Sequence, residues 1–99
     1  MSVSDIAARF ASGNVTVPGK KVKFDFGDDG KVYLDGVAGK VSQDDAAADT
    51  TIKIKLDDFM AMADGKLDPT AAFMQGKLKV EGDMGVAMQL QGVMAKLRG

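Results

Sequence analysis

Four aspartates, Asp57, Asp58, Asp64 and Asp68, fall within one stretch of twelve residues. Carboxylates that close could share general acid–base work. The rest of the chain gives them little help, because it contains no histidine and no cysteine. A Ser-His or Cys-His pair, a thiol nucleophile, a disulfide and a zinc site of the usual kind are all excluded. Any catalysis would rest on carboxylates, lysines, serines and Tyr33, the one tyrosine. Yet the aspartates stand where helices and turns are expected, and there a short carboxylate caps backbone N–H groups. Capping accounts for them, so neither an enzyme nor a cofactor is expected.

The other chemistry the residue types offer is apolar recognition. Six of the seven methionines lie between residues 60 and 94: Met60, Met62, Met74, Met84, Met88 and Met94. Methionine is unbranched and adapts to irregular shapes, which suits a surface that must fit a variable apolar guest. Asp83 caps a last helix expected from Met84 to about Leu97. On it Val86, Leu90, Val93 and Leu97 fall within about 60° of one another. Met84, Met88 and Ala95 fall roughly opposite, with Gln91 and Arg98 between the stripes on one side and Gln89 and Lys96 on the other. A helix lying on a sheet with its back in water needs one apolar stripe. The second must be covered by a neighbouring helix, by a partner chain or by an apolar ligand. Gly85 and Gly92 lie near the Met88 side, where each costs roughly 1 kcal/mol against alanine and marks a close approach or a helix that flexes.

Charge narrows the partners. The formal net charge is −1; residues 1–65 carry 8 basic and 11 acidic side chains, residues 66–99 carry 5 and 3. Neither part has the basic excess a phosphate backbone requires, so no nucleic acid is expected. No apolar run approaches a membrane span, leaving at most transient membrane contact. The opening "MSVSDIAARFASG" lacks the features of a signal peptide, and the cytoplasm is the expected location. A monomer or weak dimer is expected.

The elements follow from periodicity. Residues 1–99 are read as one domain. Ser4 as N-cap, Ile6 and Phe10 four apart and Gly13 as the stop predict a first helix. "KVKFDF" alternates as a half-buried strand with Val22, Phe24 and Phe26 inward. "GDDG" at 27–30 is a hairpin turn, and "KVYLD" returns with Val32 and Leu34 inward. Residues 36–49 form a loop with a short edge strand at 37–41. "TTIKIKL" places Ile52, Ile54 and Leu56 inward. Two short helices follow, one capped by Asp57 and stopped by Gly65, one capped by Asp68 with Pro69 in its first turn and stopped by Gly76. A strand at 77–82 turns Leu78 and Val80 inward before the last helix. Helices late in the chain, packed on a mainly antiparallel sheet, make an α+β fold.

The stretch "GKLDPTAAFMQGKLKVEGDMGVAMQL", Gly65 to Leu90, resembles the signature of the sterol carrier protein 2 family. It has a Gly-Lys-Leu-x-Pro stretch, Ala-Phe-x-x-Gly-Lys-Leu, a strand ending in Gly, and Met-x-x-Ala-x-x-Leu. Upstream, the Ala-Asp-x-Thr-Ile strand and the Asp-Phe helix are also similar, and the likeness covers about residues 20–97. The resemblance implies about five mostly antiparallel strands in a single layer covered by helices, with a hydrophobic tunnel between the two and the last helix as wall and lid. It implies binding or transfer of fatty acid, fatty acyl-CoA, phospholipid or sterol without chemistry. Phe73, Met74 and Gln75 match the tunnel-side helix, and Met84, Ala87, Met88 and Leu90 the tunnel side of the last one. Phe24, Phe26, Ile52 and Ile54 would floor the tunnel, with Phe59, Met60 and Met94 completing the candidate lining. The alternative is an interaction or dimerisation module using the apolar last helix. A dry void of about 300 Å³ would cost roughly 7 kcal/mol, a large share of a small domain's stability. An unfilled tunnel should therefore collapse or take up water.

Overall fold

The first helix, α1 (Val3–Ser12), is capped by Ser2 rather than Ser4. Ser2 Oγ accepts from Asp5 N, and the Asp5 carboxylate accepts from Ser2 N at 3.0 Å. This reciprocal capping box satisfies two orphan N–H groups and starts the helix two residues earlier than expected. At the other end Gly13 stays in the right-handed region, and Asn14 makes the left-handed turn, with φ 49°. Val3, Ile6, Ala7 and Phe10 face the core. The described residues are 2–98 of a computed structural model.

Strand β1 (Lys21–Asp25) runs into a single 3-10 turn at Gly27–Asp29 and pairs antiparallel with β2 (Lys31–Asp35). The expected edge strand lies later than read, as β3 (Lys40–Ser42). Asp35 Oδ1 accepts from Val37 N and Ala38 N at 3.0 and 2.9 Å. That Asx turn takes residues 36–39 out of the ladder. Strand β4 (Thr50–Ile54) then lies parallel to β1, and β5 (Leu78–Gly82) lies antiparallel on its far side. The sheet order is β3-β2-β1-β4-β5. One parallel pair among antiparallel ones keeps the fold in the expected α+β class.

The segment joining β3 to β4 crosses the outer face of the sheet. Tyr33 Oη donates to Ala47 O at 2.7 Å, and Lys23 Nζ donates to Asp45 Oδ1 and Ala46 O at 2.8 and 3.1 Å. The helices α2 (Leu56–Ala63), α3 (Pro69–Met74), α4 (Met84–Ala87) and α5 (Leu90–Arg98) follow. Asp57 does not cap α2. Lys55 is its N-cap residue without a side-chain bond, and Asp57 and Asp58 sit in the first turn, where the helix dipole favours negative charge. Gly65 and Gly76 end α2 and α3 with φ 78° and 75°, as the sequence predicts.

On the inner face Phe10, Phe24, Phe26 and Phe59 form one aromatic cluster. Phe10 and Phe24 stack at 5.6 Å, and Phe59 meets Phe24 and Phe26 edge-on at 5.4 and 5.2 Å. Ile52, Ile54, Met62, Val86, Leu90 and Met94 pack in the same buried cluster.

Four carboxylates are held below the usual aspartate value. Asp5 is lowered first by the Ser2 N–H, Asp35 by the Ala38 N–H, Asp45 by the Lys23 ammonium and Asp83 by the Lys20 ammonium. Each lies lower in the folded chain than the roughly 3.9 of an unfolded aspartate. Their stabilisation is therefore complete above about pH 4 and is lost as pH falls through the folded values. The urea midpoint is expected to stay level from pH 7 to 5 and to decline below about pH 4; a midpoint already falling between pH 7 and 5 would contradict this assignment.

Candidate functional site

The single helix expected from Met84 to about Leu97 is broken. Helix α4 is one turn long, and α5 begins at Leu90. Between them Gln89 N donates to Val86 O at 2.9 Å, a three-residue span that tightens the chain. Gly85 and Gly92 flank the break and weaken helix propensity on both sides of it. The apolar register nevertheless survives: Val86, Leu90, Val93 and Leu97 are all buried. The opposite pair is not covered, since Met84 is 50% and Met88 85% exposed.

The chain before α4 is pinned to the sheet. Thr50, fully buried, donates from Oγ1 to Asp83 O at 2.9 Å, and Asp83 N donates to Asp49 O at 3.1 Å. The Asp83 carboxylate caps Gly85 N at 2.8 Å and pairs with Lys20 at 3.2 Å. On the other side α3 starts where Asp68 accepts from Thr70 N at 2.9 Å. Strand β5, one of the two edges of the sheet, lies between these two anchored helices.

A cleft of about 260 Å³ opens there. Its walls are Pro69, Thr70 and Phe73 from α3, Leu78 and Val80 from β5, and Met84, Ala87, Met88, Leu90 and Gln91 from the broken helix. None of these side chains titrates. Thr70 and Gln91 bring the side-chain polar groups, and everything else is hydrocarbon or thioether. The cleft has no nucleophile and no proton donor or acceptor of catalytic strength. What it can do is hold apolar surface and offer a hydrogen bond at its margin. Among the described residues no group of carboxylates could hold a metal ion.

Of the candidate residues, the structure brings Phe73, Met84, Ala87, Met88 and Leu90 together around this cleft. Phe24, Phe26, Ile52, Ile54, Phe59 and Met94 sit instead in the packed core, with Met60 half-buried against it. Met74 is exposed at the end of α3 and does not line the cleft, and Gln75 is the C-cap residue of α3. The space between helices and sheet where the tunnel was expected is filled by the aromatic cluster. The apolar cleft lies instead at the β5 edge. Leu78, Val80, Pro69, Thr70 and Gln91 line the cleft without having been candidates. Leu78 and Val80 carried a signal, their inward alternation, but nothing in the sequence shows that β5 is the strand at the edge.

An α+β domain with one layer of sheet, helices on its inner face and an apolar recess beside its edge strand is the class these features define. The chain belongs to the SCP-2 sterol transfer family, whose family model matches residues 2–95. The chain is similar to human sterol carrier protein 2, with 45% identity over 58 residues, 59% of this chain and 11% of that protein. It is also similar to the zebrafish hydroxysteroid dehydrogenase-like protein 2, with 42% identity over 71 residues, 67% of this chain and 17% of that protein. The chain thus spans only a small part of the length of these curated relatives. Among solved structures, palmitated SCP2L2 from Aedes aegypti superposes with a TM-score of 0.72 at 26% identity, covering 95% of each chain. Among the described residues no helix is long and apolar enough to cross a membrane.

Proposed function

We propose that this chain binds and passes on a lipid with a long apolar tail, without chemistry. The lipid is a fatty acid, a fatty acyl-CoA, a phospholipid or a sterol, and the tail lies in the cleft between α3, β5 and the broken helix. The observation that carries this reading is the lining itself: ten residues, none titratable, three of them Phe73, Met84 and Met88 with large mobile or aromatic side chains at the mouth. The palmitated SCP2L2 of Aedes aegypti supports an acyl chain as the guest. A tail gains roughly 0.8 kcal/mol per buried methylene, so ten give about 8 kcal/mol before the costs of association. The cleft's 260 Å³ is just under the usual range of about 300–1,000 Å³ for ligand sites. Filling it with a long chain requires Met84 and Met88 to swing outward, which unbranched side chains do at little cost. The core candidates Phe24, Phe26, Ile52, Ile54, Phe59 and Met94 would meet a guest only through wider opening of the helices from the sheet. The protein works as a single chain in the cytoplasm on this reading.

Thermal unfolding with palmitate tests it. At a ligand concentration of about 100 Kd the stabilisation is about 2.7 kcal/mol. For a domain of this size each kcal/mol is worth roughly 4–8 °C, so the midpoint should rise by about 10 °C or more. Native mass spectrometry of protein taken gently from cells should show bound lipid. Protein that is always lipid-free, with no shift from a panel of fatty acids, would end the proposal. A stable dimer indifferent to lipid would instead assign the uncovered methionines to subunit contact.

A further inference from the structure

Among the described residues five large apolar side chains are markedly exposed: Val37 at 68%, Phe73 at 47%, Met74 at 80%, Met84 at 50% and Met88 at 85%. Three of the five, Phe73 on α3, Met84 on α4 and Met88 at the C-cap of α4, line one cleft, and Met74 follows Phe73 as the last residue of α3. The apolar faces of α1 and α2 are not available, because Val3, Ile6, Ala7 and Phe10 of the first and Phe59, Met62 and Ala63 of the second are buried. Beside the four, β5 presents its free edge. Leu78 and Val80 turn toward the cleft, while Lys79 stands on the opposite face of the strand, across from Lys53. Lys77 stands at the turn leading into that strand.

The charges around this edge are unequal. Glu81 is paired with Lys53 at 2.8 Å, and Asp83 is paired with Lys20 at 3.2 Å and caps Gly85 N. Asp68 is engaged by Thr70 N. Among the described residues neither Lys77 nor Lys79 has an ion-pair partner. Both are exposed. Phe73, Leu78, Val80 and Lys79 border one continuous depression along the strand, so Phe73 of the apolar rim and the Lys79 ammonium meet at the same edge.

We infer that this edge is a docking surface for an anionic lipid bilayer, with Phe73, Met74, Met84 and Met88 entering the interface and Lys77 and Lys79 resting on the acidic head groups. The inference deepens the lipid-carrier reading and rests on it: the cleft mouth would face the membrane, and a tail could move between bilayer and cleft without crossing water. The pattern of an apolar rim flanked by lysines is that of surface-bound rather than spanning proteins. A second copy of the chain is the less favoured occupant, because it would bring a second pair of unpaired lysines against the first.

The chain contains no tryptophan, so single tryptophans report cleanly. Met74→Trp and Val37→Trp are to be mixed with vesicles of phosphatidylcholine alone and with about one third phosphatidylserine, some carrying brominated chains. Emission from Met74→Trp should shift to the blue and be quenched by brominated lipid only with the anionic vesicles, while Val37→Trp stays unchanged. A lysine near an anionic surface is worth roughly fivefold in partitioning, so the double variant Lys77→Glu/Lys79→Glu should bind at least about thirtyfold more weakly. High salt should weaken the wild type similarly. Equal quenching at both tryptophans, or no preference for anionic vesicles, would overturn the assignment. So would self-association that Met74→Asp abolishes, since that places a second copy on this face. Palmitate affinity measured without vesicles separates the two levels: tight binding in solution with no docking refutes this inference alone, whereas docking with no palmitate binding refutes the carrier reading.

Discussion

Replacing Ala87 with tryptophan is expected to abolish most lipid binding while leaving the fold intact. Ala87 is half-buried on α4 and lines the cleft between Met84 and Met88. An indole there grows into open volume rather than into the core, so the overpacking strain of a crowded interior does not arise. The helix propensity lost is a fraction of 1 kcal/mol. The tail, by contrast, loses its place. If the ring displaces four methylenes, about 3 kcal/mol of burial goes with them, which is roughly a hundredfold in Kd. Palmitate titrations of Ala87→Trp and of Ala95→Trp, an exposed position on α5 outside the cleft, should therefore diverge. The first should bind at least tenfold more weakly and the second like the wild type, with both unfolding near the wild-type temperature. Wild-type affinity in Ala87→Trp would take the tail out of this cleft. It would move the search to the core-facing candidates, chiefly Phe24, Ile52 and Phe59.

That alternative exists because sequence pattern reports burial, not what does the burying. Alternation in "KVKFDF" and "TTIKIKL" identifies Val22, Phe24, Phe26, Ile52 and Ile54 as inward, and they are. Whether an inward ring faces a guest or another ring depends on how closely helices settle on the sheet. Here Phe10 and Phe59 fill the space. The reverse holds for Met84 and Met88. Their position opposite Val86 and Leu90 marks them as apolar and unserved by the sheet, and that survives even though the helix carrying them is broken. Features set by one or two neighbouring residues read directly from sequence, such as the Asp68 and Asp83 caps and the Gly65 and Gly76 stops. Expectation and structure differ where two local solutions compete. Ser2 and Ser4 are both competent caps, and Asp5 decides for Ser2. Asp35 competes with the β-ladder for the N–H groups of Val37 and Ala38 and wins. The parallel β1–β4 pair is invisible locally, because it depends on a connection that crosses the outer face through Asp45 and Ala47. The edge position of β5, and with it the place of Leu78 and Val80 in the cleft, is a consequence of that topology.

The second large effect is expected at Gly36, which looks unremarkable in sequence. It follows β2, donates from N to Lys20 O at 2.8 Å and accepts from Gly19 N at 3.1 Å. A β-carbon on Gly36 would collide with Val17 O and lie 2.6 Å from Lys20 O. Both obstacles are backbone, and the 17–20 turn is itself closed by Lys20 N donating to Val17 O at 3.0 Å. Gly36→Ala must therefore push that turn away, lose bonds worth about 0.5–1.5 kcal/mol each, and disturb the Lys21–Asp35 pair that sets the β1–β2 register. A loss of at least about 3 kcal/mol is expected, enough to lower the thermal midpoint by about 12 °C or more. Gly92→Ala provides the opposite sign. It lies in α5 with open space around its missing β-carbon, so alanine should stabilise the chain by roughly 0.5–1 kcal/mol through helix propensity alone. Thermal unfolding of the two variants decides between packing and propensity: a Gly36→Ala protein that melts with the wild type would show that the 17–20 turn does not rest on Gly36 as closely as these distances require.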